Sequence, residues 1–490
     1  MNKKTLSFFR ICHQWIGLIG GWFLFLIFIS GTISIFDKEI TQWMQPELGQ
    51  HPIAKTISSK ALNQSFASWE KYKHIHKNLI ALPTDRDPYI KVLHFQDNML
   101  QGVVIDPREG NILPVRATGG GYFIDSLHNN LFIGRYIGGA IVLIIGIAFL
   151  LVLISGVIIY LPTLIKNAFF IYHKPTTLRF KSDIHTITGL FFLPFLFIVC
   201  ISGILFLAPR YMPNGAPPPI STPPKQAAIK QQPPELLPLL KKAETHFNSM
   251  PSSIVFTKKE IKFFEGDQQH IARFKNYISF DKKTGQPTSS STNITPLTLL
   301  NKTLLGIHTV RAGDILLRIV FATMGLFSSI LIAYGLLFYS QKKRNSQLST
   351  RSIPRLYVDK TIEGINIGII MGSLIAITTL LWLNRLLPVS LTDRMHWEIR
   401  GFFITFFLII CCGIIASLCD KIKLVWISLM GILSSLCLFL PFLDYIQTGR
   451  YLNAAINNHN YLYVTIDAII FLFGVVFLRL YFYIQKKGKN

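Results

Sequence analysis

The stretch His13–Gly31, HQWIGLIGGWFLFLIFISG, recurs later in the chain as His185–Gly203, HTITGLFFLPFLFIVCISG. In both stretches a Gly follows the His by four residues, and Ser-Gly follows it by seventeen and eighteen. Both stretches are also apolar over the roughly 20 residues that a membrane-spanning helix needs. The sequence therefore predicts two related spanning helices, each with a His near its start.

A second pair of helices repeats in the same way. Gly134, Gly146 and Gly156 have the same spacing as Gly313, Gly325 and Gly335. His128 precedes the first set and His308 the second, at offsets that differ by one residue. A unit of helix, soluble segment and helix is therefore predicted to be present twice.

Composition indicates a polytopic membrane protein, because half of the residues are hydrophobic and only 15% are charged. Eight apolar runs are long enough to span a bilayer. The predicted spans are about 15–36, 136–160, 186–208, 316–339, 362–384, 401–419, 423–443 and 461–484. The first run ends in Asp37-Lys38-Glu39 instead of a small-residue cleavage site, so we expect it to remain as a membrane anchor.

The formal net charge of +24 is explained by membrane topology and does not indicate nucleic-acid binding. Every second loop is basic, which by the positive-inside rule predicts cytoplasmic N and C termini. The residues concerned are Lys3, Lys4 and Arg10, then Lys166, Lys174, Arg179 and Lys181, then Lys342, Lys343, Arg344, Arg351, Arg355 and Lys360, then Lys421 and Lys423, and finally Lys486, Lys487 and Lys489.

Two soluble segments lie outside the cytoplasm in this topology, and both show α+β patterns. The first contains a predicted helix at SKALNQSFASWEKY, a strand at IKVLHF and a hairpin turn at Asp106–Gly110. The second opens with a Pro-rich linker at 217–234. A predicted helix at ELLPLLKKAETHF, a strand at SSIVFT and a turn at Asp281–Gly285 follow. One small α+β module is therefore predicted to be used twice.

These features resemble those of the PepSY-associated transmembrane family. The resemblance rests on the His-containing first helix, the outer module with its Val-Asp-Pro-like hairpin, the Ser-Leu-His before the second helix, and the repetition of all three over residues 1 to about 345. It implies an iron-uptake protein of the bacterial inner membrane, such as a ferric-siderophore reductase with b-type haem. The last four spans lie outside the resemblance.

The resulting fold class is an all-α polytopic membrane protein, with about eight transmembrane helices and two small PepSY-like α+β extracytoplasmic modules. The predicted organisation is a first transmembrane helix at 1–36, the first periplasmic module at 37–127, helices two and three with a basic cytoplasmic loop at 128–208, the second module with its Pro-rich linker at 209–307, helix four at 308–345, and a four-helix membrane extension at 346–490.

The four repeat-related histidines are candidate axial ligands of haem iron. Alternation of the spans puts His13 and His185 at the cytoplasmic face and His128 and His308 at the outer face, about 30 Å away across the hydrocarbon core. Paired ligands from facing helices are typical of cofactor sites in helical bundles, and imidazole is a common ligand of haem iron. A lone His near a helix end is usually an interfacial residue, but four at repeated positions favour two haem b groups.

Positively charged side chains near each pair are candidates for binding the haem propionates. Those near the outer pair are Arg135, Arg311 and Arg318, and those near the inner pair are Arg10, Arg179 and Lys181. Ordinary interfacial anchoring explains them equally well.

Several functions find no support in the sequence. It contains neither a phosphate-binding loop nor a dinucleotide-binding Gly motif, so electrons would have to come from a separate cytoplasmic reductase or from quinol. Three functions remain open. The first is an electron-transfer protein that reduces a ferric-siderophore or other iron(III) chelate. The second is an iron or siderophore permease. The third is a non-redox protein whose modules bind a peptide or protein partner.

Overall fold

A computed structural model describes most of the chain. The described residues are 2–51, 56–73, 75, 78–96, 99–167, 178–212, 235–266, 271–273, 276–290, 295–311, 314–345, 353–449 and 460–486. The Pro-rich linker at 217–234 and most of the basic loop between the second and third spans lie outside them.

The chain folds into two compact units. The membrane unit comprises residues 1–34, 124–204 and 319–490, and the sheet unit comprises residues 35–123 and 205–318.

Eight helices are long and apolar enough to cross a membrane, which confirms the predicted number of spans. They are α1 (Lys3–Ser34), α5 (Ile137–Asn167), α6 (Leu178–Leu207), α9 (Ile315–Asn345), α10 (Ile353–Leu386), α11 (Arg394–Leu418), α12 (Ile422–Thr448) and α13 (Leu462–Lys486). Five shorter helices are also described, namely α2 (Asp37–Trp43), α3 (Ser59–Tyr72), α4 (Gly120–Asn130), α7 (Leu236–Phe247) and α8 (Pro296–Thr309).

The sequence repeat is also a repeat of packing. Gly17 of α1 faces Val152 of α5, and Gly189 of α6 faces Leu331 of α9. If each glycine carried a β-carbon, that atom would lie 4.0 Å from a methyl carbon of the facing residue. These two contacts join repeat-equivalent positions. The pairs α1 with α5 and α6 with α9 are therefore two copies of one antiparallel arrangement.

Contacts between the two copies close a ring of four helices. Gly146 of α5 faces Ile204 of α6, and Gly325 of α9 faces Thr32 of α1. Gly146 and Gly325 are equivalent in the repeat, as are Ile204 and Thr32. The backbones of α6 and α9 approach one another less closely than those of α1 and α5. The four helices are thus related by approximate two-fold symmetry.

The last four spans form a second group centred on α10. This helix packs against α11, α12 and α1, and α12 also packs against α13. Small residues permit the closest approach, since a β-carbon on Gly364 or Gly368 would meet the backbone of α11. The extension is therefore joined to the repeated helices through α10.

The two soluble segments form one antiparallel sheet of eight strands. The strands are β1 (Leu79–Ala81), β2 (Ile90–Gln96), β3 (Met99–Ile105), β4 (Ile112–Leu113), β5 (Ser253–Phe256), β6 (Glu260–Phe264), β7 (Tyr277–Asp281) and β8 (Pro287–Ser290), in the order β4-β3-β2-β1-β5-β6-β7-β8. Each segment contributes four strands, and β1 pairs with β5 through Ile80 and Ile254.

The two halves of the sheet share one hydrophobic core with α3 and α7. Ile80 and Ile254 are fully buried at the seam, so separating the halves would expose apolar surface. The predicted helices, strands and turns are nevertheless observed in both halves. The PepSY-like character of the modules stays a prediction.

The two predicted hairpin turns have the same conformation. Asp106 accepts hydrogen bonds from the backbone N–H groups of Arg108 and Glu109, and Asp281 accepts them from those of Lys283 and Thr284. The bonds from Thr284 and Lys283 lower the pKa of the Asp281 carboxyl. Gly110 and Gly285 close the turns at φ of 74° and 65°, values that favour Gly. This confirms the prediction of equivalent hairpins.

Candidate functional site

His13 lies on α1 with its ring against α5. Its Nδ1 is 3.0 Å from the carbonyl oxygen of Val152 and 3.2 Å from Oγ of Ser155. A carbonyl only accepts, so Nδ1 carries the proton and Nε2 holds the lone pair of the neutral ring. Metal-binding histidines commonly donate their second N–H to a backbone carbonyl in this way. The ring itself packs on Gly156, where a β-carbon would lie 3.2 Å from Cε1.

His185 occupies the equivalent place on α6, with its ring against α9. A β-carbon on Gly335 would lie 3.1 Å from its Cε1, and the ring of Tyr334 is near parallel to the imidazole with centroids 6.4 Å apart. Nδ1 of His185 is buried and finds no hydrogen-bond partner among the described residues. Tyr334 stands at the position equivalent to Ser155, so the hydroxyl that approaches His13 has no counterpart here.

The structure places His13 and His185 at repeat-equivalent positions of one ring of four helices. Each imidazole packs on the equivalent Gly of the facing helix in its own repeat. We call His13, His185, Gly156 and Gly335 the inner site. Two imidazoles that face glycine-lined helices are suited to binding one metal centre from two sides.

The sequence predicted His128 at the outer end of the second spanning helix. In the structure it lies instead on the short helix α4. The chain leaves α4 through Leu131 and Phe132, both with positive φ, before α5 begins at Ile137. Nδ1 of His128 is 2.8 Å from the carbonyl oxygen of Ile27 on α1. A β-carbon on Gly31 would lie 2.5 Å from the same nitrogen. Because α4 is a separate helix, His128 contacts α1 although it precedes the apolar run of α5 by about eight residues in the sequence.

His308 likewise lies on a separate short helix, α8, near its C-terminal end. Thr295 caps α8 by accepting a hydrogen bond from the N–H of Thr298, and Val310 ends it in the left-handed conformation. His308 belongs to the sheet unit, whereas His128 belongs to the membrane unit. The pairing of His128 with His308 therefore stays a prediction from the repeat.

The arginines predicted near the outer pair differ in their surroundings. Arg318 donates to Glu39 at 2.7 Å, and Arg86 binds both oxygens of the same carboxylate at 2.9 and 2.6 Å. The Glu39 carboxylate is thus an observed anionic partner of Arg318. Arg135 is exposed and Arg311 is half-buried.

A buried ionic cluster in the last four spans was missed by the sequence analysis. Arg385 of α10 donates to Asp444 of α12 at 2.5 Å, and Arg394 of α11 donates to Glu398 at 2.5 Å. Asn384 also donates to Glu398, at 2.8 Å. All five side chains are at most 3% exposed. The predicted span limits placed the four charged residues just outside the bilayer, and their pairing across helices has no signal in a single sequence.

The donor set of the inner site fits haem better than it fits a free metal ion. Among the residues that the structure describes, no three His, Cys, Asp or Glu side chains are grouped to hold an ion. Haem iron needs only two axial ligands from the protein. The inner site offers two imidazoles, one oriented by Val152 and one whose buried Nδ1 has no hydrogen-bond partner in the part of the chain that the structure describes.

Comparison with known proteins identifies the family of the repeated part of the chain. No curated protein matches the chain. The profile described as the PepSY-associated TM region matches residues 10–342, which is more than half of the chain. That range contains all four repeated histidines and ends before α10. The chain therefore belongs to the PepSY-associated transmembrane family.

Proposed function

We propose that this multi-pass membrane protein is a di-haem electron-transfer protein of the bacterial inner membrane. It passes electrons from a cytoplasmic reductase or from quinol to a ferric-siderophore or other iron(III) chelate outside the cytoplasm. The observation that carries this proposal is the inner site, where equivalent histidines of the two repeats each pack on a glycine of the facing helix within one ring of four helices. The repeat supports a second haem b between His128 and His308 as part of this proposal.

The residues of the inner site would hold haem b in complementary ways. His13 and His185 would bind the haem iron through their imidazole nitrogens, and the carbonyl of Val152 fixes the ring of His13 through Nδ1. Gly156 and Gly335 leave the space beside each imidazole that a larger side chain would fill. Bound haem supplies reversible one-electron transfer, with a potential that depends on its ligands and their hydrogen bonds.

The proposed membrane topology sets the direction in which electrons would be transferred. We propose cytoplasmic N and C termini, so that the inner site lies towards the cytoplasm and both PepSY-like segments lie outside. The iron chelate would then be reduced at the outer end, where the repeat places the second haem. Arg135 and Arg311 remain candidates for its propionates.

A permease for iron or a siderophore is the alternative that one observation favours. Ionisable groups buried within membrane spans commonly mark transport pathways, and Arg385, Asp444 and Glu398 are such groups. Their carboxylates are already bonded to Arg or Asn, so the cluster offers a less direct binding site than the paired imidazoles.

The visible spectrum of the purified full-length protein tests the proposed function. We expect a dithionite-minus-oxidised difference spectrum of low-spin haem b, and about two haems per chain by pyridine haemochrome assay. Adding an iron(III) chelate to the reduced protein should reoxidise the haem and release iron(II). Protein purified from haem-replete cells without haem absorption would reject this function. It would then favour the permease, which radiolabelled iron uptake into proteoliposomes would measure.

A further inference from the structure

We propose that Asn366 of α10 is a positioning residue for the inner site, and that the four-helix extension acts on that site through it. This inference rests on the proposed function, because it concerns the same pair of histidines. Asn366 lies beyond residues 10–342, which the family profile covers.

Asn366 ties two helices of the repeated ring together. Its side chain is fully buried, and its Oδ1 accepts a hydrogen bond of 2.6 Å from the indole N–H of Trp22 on α1. Its Nδ2 donates to the carbonyl oxygen of Leu336 at 3.0 Å and to Oγ of Ser340 at 2.8 Å, both on α9. Both Nδ2 donors and the carbonyl of this one amide are therefore engaged between α1 and α9.

Leu336 is held from a second direction by α1. A β-carbon on Gly21 would lie 2.9 Å from a methyl carbon of Leu336, so the leucine side chain fills the space that this glycine leaves. The side chain of Leu336 is thus fixed by α1, while its carbonyl oxygen is fixed by Asn366. The backbone of α9 at this residue is consequently held tightly against α1.

The next residue towards the N terminus of α9 belongs to the inner site. Gly335 precedes Leu336 and faces the ring of His185, with 3.1 Å from a built β-carbon to Cε1. A displacement of α9 at Leu336 would therefore move the surface on which His185 packs. His185 is the more sensitive of the two candidate ligands, because its Nδ1 finds no hydrogen-bond partner among the described residues, whereas Nδ1 of His13 bonds the Val152 carbonyl. Asn366 would act on the haem through α9 and His185.

The test replaces Asn366 by Leu, which keeps the approximate size and removes all three hydrogen bonds. Trp382→Phe is the matched control, because Trp382 lies on the same helix and donates to the carbonyl of Leu436 on α12, away from α1 and α9. Asn366→Asp is the conservative variant, since a carboxylate still accepts from Trp22. All variants are made in the full chain.

Two measurements are combined. The first is the rate at which a short bismaleimide cross-links cysteines introduced at Trp15 of α1 and Tyr339 of α9, whose rings lie 6.5 Å apart. The six native cysteines are replaced in this background. The second is the midpoint potential of the haem that is lost in His185→Ala. We expect Asn366→Leu, which loses three buried hydrogen bonds of about 1 kcal/mol each, to lower the rate by roughly fivefold or more and to shift that potential. Trp382→Phe should change neither, and Asn366→Asp should fall between them.

Each outcome decides between the possibilities. An unchanged potential in Asn366→Leu, or an equal shift in Trp382→Phe, would overturn the proposal, because Asn366 would then have a general structural role at most. If the parent protein binds no haem but only Asn366→Leu loses the cross-link, the proposed function fails while the positioning of α9 against α1 by Asn366 is supported.

Discussion

The ring of His13 lies directly on Gly156, and the ring of His128 lies directly on Gly31. The two contacts are reciprocal, because His13 reaches from α1 to the Ser-Gly pair of α5, while His128, ahead of α5, reaches back to the Ser-Gly pair of α1. In the second repeat, His185 lies on Gly335 in the same way. The spacing of Gly31, Gly156 and Gly335 in the sequence therefore marks where these three imidazoles pack on a neighbouring helix.

Gly31→Ala should displace His128 and remove the haem that it binds. The new β-carbon would lie 2.5 Å from Nδ1 of His128, closer than real contacts allow, so we expect the ring to shift and its bond to the Ile27 carbonyl to be weakened or lost. Gly17→Ala is the control, since its β-carbon would meet nothing nearer than 4.0 Å. We expect about half of the total haem in Gly31→Ala and full haem in Gly17→Ala, measured by pyridine haemochrome assay. Equal haem contents in the two variants would contradict the steric account.

The sequence was sufficient to predict the spans, the repeat and the hairpin turns, because each depends on local composition or spacing. Three features could not be predicted, and each depends on contacts between distant residues. The helix break at Leu131 and Phe132 has no Pro and uses positive φ at residues that rarely adopt it. The pairing of Ile80 with Ile254 joins strands that are far apart in sequence. Arg385 and Asp444 pair across helices, each just beyond a predicted span.

The proposed topology predicts which of two introduced cysteines is accessible from outside. Ser290 lies on the exposed strand β8 of the sheet unit, and Lys342 is exposed near the end of α9. In a background without native cysteines, a membrane-impermeant maleimide should label Ser290→Cys in intact spheroplasts and Lys342→Cys only after lysis. The reverse pattern would invert the topology and the direction of electron transfer.

The buried pair of Arg385 and Asp444 should show strong coupling. Removing one partner leaves the other charge buried, so Asp444→Leu alone should destabilise the protein by about 3–5 kcal/mol. The double variant Arg385→Met/Asp444→Leu should recover most of that loss, because no unpaired charge remains. Lys360→Ala is the control, since its partner Asp420 is 75% exposed and such pairs contribute about 0–1 kcal/mol. Unfolding of the full chain in detergent measures all variants, and a double variant no more stable than Asp444→Leu would contradict the coupling.

Single replacements of the four histidines should separate into two groups. His13→Ala and His185→Ala should lose the same haem, because both imidazoles belong to the inner site and the proposed haem there needs both. His128→Ala and His308→Ala should lose the other haem, a prediction that rests on the repeat. Each variant should then retain about half of the haem, and the potentials of the remaining haem should agree within each group. The two groups should differ, because the ligands and their hydrogen bonds set the potential.

If His13→Ala and His128→Ala instead removed the same haem, the arrangement of one haem at each face would be wrong. Electron transfer across the membrane through two haems would then have no basis in this protein.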